Sequence, residues 1–207
     1  MTDSSSNGGP GGAAAQNHQR THKDYYTALY QAALAFSYSL DLNEVLQSVV
    51  KSITEAMQVK GCGLRLLNPR TGQLQIVAVY GLSSDYIAKG PVELAHSPID
   101  SEAMCGTPVV IEDIETDTRF QYKEAAKREG IVSVLCVPLE VRGEAIGVLR
   151  VYTSEPRTFH EDDIQFLSVL ASLAALAITN ANLYENLKYA YDGVMDVLWG
   201  TSSVEIA

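Results

Sequence analysis

Residues 131–152 read IVSVLCVPLEVRGEAIGVLRVY, from Ile131 to Tyr152, and the fold class follows from them. Two runs rich in branched residues flank the polar turn Val141-Arg142-Gly143-Glu144, which predicts a pair of antiparallel strands. Strand alternation sorts their side chains onto two faces. Leu135, Val137, Leu139, Leu149 and Val151 share an apolar face. Val134, Cys136, Arg150 and Tyr152 share the other, which is apolar except for one arginine. A guanidinium there needs a partner, water or a ligand; the competing reading is an arginine on the wet side of a sheet.

The chain around this hairpin has 207 residues, 46% hydrophobic and 19% charged, enough for one domain with a real core plus extensions. Its formal net charge of −10 and pI near 4.8 repel phosphate backbones, so nucleic acid is not expected as a partner. No apolar run is expected to cross a bilayer. The start, MTDSSSNGGPGGAAAQ, lacks the basic and apolar parts of a signal peptide. Cys62, Cys105 and Cys136 are odd in number and widely spaced, so neither a disulfide framework nor a structural metal set is expected. A reduced, cytoplasmic setting follows.

Taken in order, residues 1–23 read as a disordered polar tail. His18 and His22 lie in it at a spacing of four, and a bare tail is preferred there to a metal pair. An N-terminal helix is expected over 24–40, with Tyr25, Leu29, Ala32 and Phe36 on one stripe. Asp41 then caps a second helix, with Glu44 three residues on, and Val45, Leu46, Val49, Val50 and Ile53 form its buried side. Residues 62–68 and 73–80 form a hairpin about the turn Pro69-Arg70-Thr71-Gly72. In its first strand Leu64 and Leu66 point one way and Arg65 the other. Residues 81–108 are broken by glycine and proline into short pieces, with short helices at 83–89 and 100–105. A short strand at 108–112, a loop and a polar helix at 121–129 closed by Gly130 lead to the opening hairpin.

The last helix begins after Thr158 or His160 and is long. Phe166, Leu170, Leu173, Ala177, Asn180, Tyr184, Leu187, Tyr191, Val194 and Leu198 step by four and three, a heptad seam. Its first half has a sheet to cover; its second half has only a partner helix to bury it. Asn180 is the kind of polar seam residue that fixes register. Residues 183–199 are therefore a coiled-coil-like extension, and 200–207 a frayed end.

At this point five phrases carry a resemblance: Leu42-Asn43-Glu44-Val45-Leu46, Ala78-Val79-Tyr80-Gly81-Leu82, Pro108 through Asp113, Ser133 through Leu139, and Ala145 through Leu149. In this order they resemble a GAF domain over residues 41–182. The resemblance implies an α+β fold of GAF/PAS type. A central antiparallel sheet would carry the terminal helices on one face and a ligand pocket, roofed by a crossing segment, on the other. It further implies sensing and signal transduction, with homodimerisation through the terminal helices. Tyr25, Leu29, Phe36, Ala177, Asn180, Tyr184, Leu187, Tyr191, Val194 and Leu198 are the expected interface. The chain looks like a stand-alone version whose output passes to a separate signalling protein such as a kinase. It shows neither the motif of cyclic-nucleotide GAF domains nor the Cys-His signature of bilin-binding ones, since Gly106 follows Cys105. No cofactor is expected.

In the usual GAF strand order the first strand neighbours the last, which would bring Arg65 and Arg150 together. Two guanidiniums in a partly dry cavity favour an anionic ligand. Arg65, Tyr80, Phe120, Val134, Cys136, Arg150 and Tyr152 are the expected ligand-binding residues. The alternative pairs the arginines with Glu112 or Asp113. Three other readings stay open. Some short GAF proteins reduce free methionine sulfoxide with cysteines, and Cys105 and Cys136 are the redox candidates here, although their contexts do not match. A metal or haem sensor would need His96 or His160, and neither has a sensibly spaced second ligand. A pure interaction module would use the long helix alone. The preferred reading is a cytoplasmic sensor that binds a small molecule and has no catalytic residues of its own.

Overall fold

The computed structural model describes residues 10–38 and 41–199. Helices α1 (Pro10–Tyr38) and α2 (Leu42–Met57) precede strands β1 (Gly61–Asn68) and β2 (Gln73–Tyr80). The crossing segment holds α3 (Ser84–Ile87), β3 (Val92–Glu93), a 3-10 turn, α4 (Pro98–Met104), β4 (Val109–Ile111) and α5 (Lys123–Glu129). Strands β5 (Val134–Val141) and β6 (Glu144–Tyr152) lead into α6 (Glu161–Trp199). The six strands lie in the order β3-β2-β1-β6-β5-β4, antiparallel throughout, so the first strand pairs with the last.

The expected faces are the observed ones. Leu135, Val137, Leu139, Leu149 and Val151 join Leu64 in a core against α1, α2 and α6. Val134, Cys136 and Tyr152 belong to a second core under the crossing segment. The hairpin between β5 and β6 turns through Arg142 and Gly143, both with positive φ, the two-residue turn that matches strand twist. The Asp41 carboxylate caps α2 by accepting from the backbone N–H groups of Asn43 (2.9 Å) and Glu44 (3.2 Å), and a stripe from Val45 to Met57 buries that helix.

Several expectations are corrected. Residues 10–23, expected as disordered tail, are the first turns of α1: Pro10 suits a helix start and Ala13, Ala14 and Ala15 are strong helix formers. The expected tail at 1–9 and frayed end at 200–207 lie outside the described residues, as do the side chains of His18, His22 and Leu198. Tyr25, expected at a dimer interface, packs into the domain's own core. It is 5% exposed, stacks on Phe166 at 4.0 Å, and donates its hydroxyl proton to Asp163. Leu29 and Phe36 pack partly against the same core. The large apolar residues that α1 turns outward are Tyr26, Tyr30 and Leu34.

The α6 seam covers the sheet over its first half, as expected. Phe166 and Leu170 are buried on the sheet, and Ala177 is half-buried. One open apolar face runs Val169, the half-buried Leu173, Leu176, Asn180, Leu183, Leu187, Ala190, Val194. Tyr184 and Tyr191 flank it, both exposed. Its steps of four and three still make a heptad seam, rotated away from the core stripe. Among the described residues α6 is the one helix long and apolar enough to span a bilayer, contrary to expectation. Its buried first half, including Leu167, Ala171, Ala174 and Ile178, accounts for much of that apolarity.

At the sheet's centre β1 and β6 approach so closely that a Cβ on Gly147 would lie 2.1 Å from the Arg65 carbonyl oxygen and 3.0 Å from Leu66 Cα. Both are backbone atoms of a strand paired on either side. Gly147→Ala is expected to lower stability by about 1–3 kcal/mol, read as a lower urea midpoint. An unchanged midpoint would show that the pairing yields freely.

Candidate functional site

On β1, Gly63 stands opposite Arg150 of β6, and Arg65 opposite Val148. Arg65 and Arg150 are therefore diagonal neighbours on the face beneath the crossing segment. From β5, Cys136 stands opposite Arg150 and Val134 opposite Tyr152. Arg65 is 2% exposed and Arg150 is 5% exposed. Arg65 Nη1 donates to Tyr152 Oη at 3.0 Å. Arg150 forms an ion pair with Asp100 of α4, which is wholly buried. The second carboxylate oxygen of Asp100 accepts from Ser97 Oγ at 2.6 Å, and Cys136 Sγ lies 4.0 Å from the first.

The crossing segment roofs this cluster. Tyr86 of α3 meets the Tyr152 ring edge-on at 6.0 Å. Lys89 Nζ sits 3.6 Å from the centre of the Tyr86 ring and donates to the Tyr86 carbonyl at 3.2 Å. Tyr86, Lys89, Ser97, Phe120, Gln121, Tyr122 and Arg150 border a cleft so narrow that only about one water fits.

Charge and hydrogen bonding inside are incomplete. The two guanidiniums face one carboxylate, so one positive charge is left over. Arg65 Nε, Arg150 Nε, Tyr86 Oη and Gln121 Oε1 are buried without a hydrogen-bond partner. Such groups cost about 1–3 kcal/mol each when left unmade, more when charged. Burial, and next the charges of Arg65 and Arg150, lower the Lys89 ammonium to about 7. Burial pushes the Cys136 thiol up to about 11, against the opposing pull of Arg150. The Cys62 thiol, on the helix face, is pushed up by burial as well.

Of the expected ligand residues, the structure brings together Arg65, Val134, Cys136, Arg150 and Tyr152 on the sheet, with Phe120 in the roof. Tyr80 is the exception. It pairs with Cys62 on the helix face, 37% exposed, with Lys51 of α2 near its ring. The bulge opposite Leu64/Arg65 inserts Val77, and one inserted residue moves every later side chain to the other face. The arginine partner is also different. Asp100 takes the role considered for Glu112 or Asp113; Glu112 is exposed and Asp113 accepts from the Glu115 backbone instead. Cys105 is exposed and Cys136 buried. His96 is an exposed loop residue near Glu93, and among the described residues no group of three or more ligating side chains could hold a metal. Sequence reading missed Tyr86, Lys89, Ser97, Asp100 and Gln121. The one available signal was the Ser97-Pro98-Ile99-Asp100 start of α4 inside a polar, broken stretch.

The GAF domain profile matches residues 41–178. The chain belongs to the GAF domain family. Its mixed helix and strand architecture is shared with the GAF domain of a phosphoenolpyruvate-protein phosphotransferase from Coxiella burnetii, at 21% identity and a TM-score of 0.71, covering 79% of this chain and 98% of that one. Free methionine-R-sulfoxide reductase from Neisseria meningitidis is similar at 21% identity and a TM-score of 0.66, covering 77% and 91%. In sequence, the Nif-specific regulatory protein of Herbaspirillum seropedicae is 23% identical over 150 residues, 70% of this chain. The chain spans 28% of that relative's length. This GAF domain is thus related in sequence to a regulatory protein.

Asp100→Asn leaves the Arg150 guanidinium buried without its counter-charge. The variant is expected to lose about 3–5 kcal/mol, with sulfate raising its unfolding temperature more than that of the wild type. Equal stability in the absence of salt would mean that the ion pair does not hold α4 to the sheet.

Proposed function

We propose that this GAF domain is a cytoplasmic sensory module, without catalysis of its own, that holds a small anionic molecule on Arg65 and Arg150 under the crossing segment. It would pair with a second copy along α6 and pass its signal to a separate protein. The observation that carries the reading is the buried cationic excess with two unpaired guanidinium Nε atoms. An anion would neutralise the one and accept from the other, through charge-assisted bonds that a water cannot match in charge. Because the cleft is nearly closed, binding requires the roof to move. Such movement carries a signal only if the anion prefers one arrangement of the roof and helices over another.

The dimer reading rests on the open heptad seam of α6. Leucine or valine stands at most of its positions, and Asn180 occupies one of them, where such a residue sets register in paired helices. The redox alternative draws on Cys105 and Cys136, but the chemistry needs a thiolate, and burial of Cys136 opposes one.

Native mass spectrometry of the full chain purified from its own host tests the ligand. Extra mass released on denaturation, lost in the Arg65→Met variant, is expected; a wild-type chain free of added mass that also fails to bind any small anion overturns the reading. For the dimer, Leu187→Glu is expected to give a monomer in sedimentation, and a dimer unaffected by that change overturns the seam.

A further inference from the structure

Lys89 stands at a junction that its sequence position does not reveal. It borders the inner cleft beside Arg150 and also an outer groove between α3 and α5, shared with Asp85, Gln121, Tyr122, Lys123 and Arg128. Gln121 and Tyr122 line both spaces as well. Lys89 therefore stands between the solvent-facing groove and the inner cleft that Arg150 borders. Its ammonium is held on the Tyr86 ring and carbonyl and, among the described residues, pairs with no carboxylate.

We propose that Lys89 is the third cationic contact of the Arg65–Arg150 site and that the ligand is a small dianion. The inference rests on the anion-site reading above and adds the ligand's charge and the residue that measures it. The arithmetic is local. Arg65 and Arg150 contribute two positive charges and Asp100 one negative, so a monoanion already balances the sheet side. A second negative charge is matched only by Lys89. The unpaired hydroxyl of Tyr86, a residue bordering the same cleft, is a further donor. Tetrahedral oxyanions and short dicarboxylates share this chemistry.

A proton then travels with the ligand. Lys89 feels Arg65 from β1 and Arg150 from β6, which repel its charge. Asp100 from α4 and Glu129 from α5 favour it. In the outer groove Asp85 and Glu124 stand against Lys123 and Arg128. Burial and the arginines prevail and leave the free ammonium near neutrality, at about 7. A bound dianion favours the protonated form, so binding takes up a proton above that pH and weakens as pH rises.

Isothermal titration of the full chain with sulfate, succinate and acetate tests this. Sulfate or succinate should bind more tightly than acetate at about pH 6.5, and the preferred dianion should lose roughly 20-fold in affinity by about pH 8.5. Whichever of the two binds more tightly identifies the ligand as oxyanion-like or dicarboxylate. Lys89→Met should bind at about pH 6.5 as weakly as the wild type does at about pH 8.5, with no pH slope. Its circular dichroism should match the wild type. Acetate binding as tightly as both dianions, or a slope that survives in Lys89→Met, overturns the inference while the anion site stands. Failure of every anion to bind at either pH overturns both.

Discussion

The ion pair between Arg150 and Asp100 is the contact on which the arrangement of this domain turns. Both side chains are buried, so neither charge is relieved by water, and each depends on the other. Arg150 stands on a central strand fixed by β1 on one side and β5 on the other. Asp100 stands on α4, a short helix in an otherwise irregular segment. The pair therefore positions the roof relative to the sheet. An anion that approached Arg150 would compete with Asp100 for the same guanidinium, and the roof would feel the outcome.

The sheet divides the molecule into two unlike cores. On the helix side, α1, α2 and α6 press an aliphatic layer against the strands, where burial alone supplies about 1.5–3 kcal/mol for each large side chain. Across the sheet the core also contains Arg65, Arg150, Asp100 and the tyrosine rings of Tyr86 and Tyr152. Such a polar interior adds little to stability when its groups are incompletely bonded. One face holds the fold together, and the other has chemistry to offer.

The helix layer is itself joined by a polar knot. Arg157 donates to the carbonyl of Met57 at the end of α2, at 2.5 Å, and to Asp163 of α6, at 2.9 Å. Tyr25 of α1 donates to the same carboxylate. Three helices thus meet at one aspartate in the first turn of α6. That turn follows β6, the strand carrying Arg150, after a short loop. The route from the arginine cluster to the helical surface is short and continuous in covalent structure.

The GAF resemblance and the sheet faces were legible in the sequence because strand alternation is local: a period of two assigns Leu135, Val137, Leu149 and Val151 to one face and Arg150 to the other with no knowledge of what lies beyond. Capping by Asp41 was legible for the same reason. Tyr80 was misplaced because a bulge depends on how two strands pair, and no residue of β2 announces it. Tyr25 was assigned to a partner because helical periodicity marks an apolar stripe but not the surface that covers it. By itself the sequence determined the order of elements, the sheet's two faces and the presence of arginines on the inner one. The tertiary structure alone decided that Asp100 answers Arg150 and that Lys89 lies above them, because those contacts are made by an irregular segment whose path is set by where it closes on the sheet, not by any period in its residues.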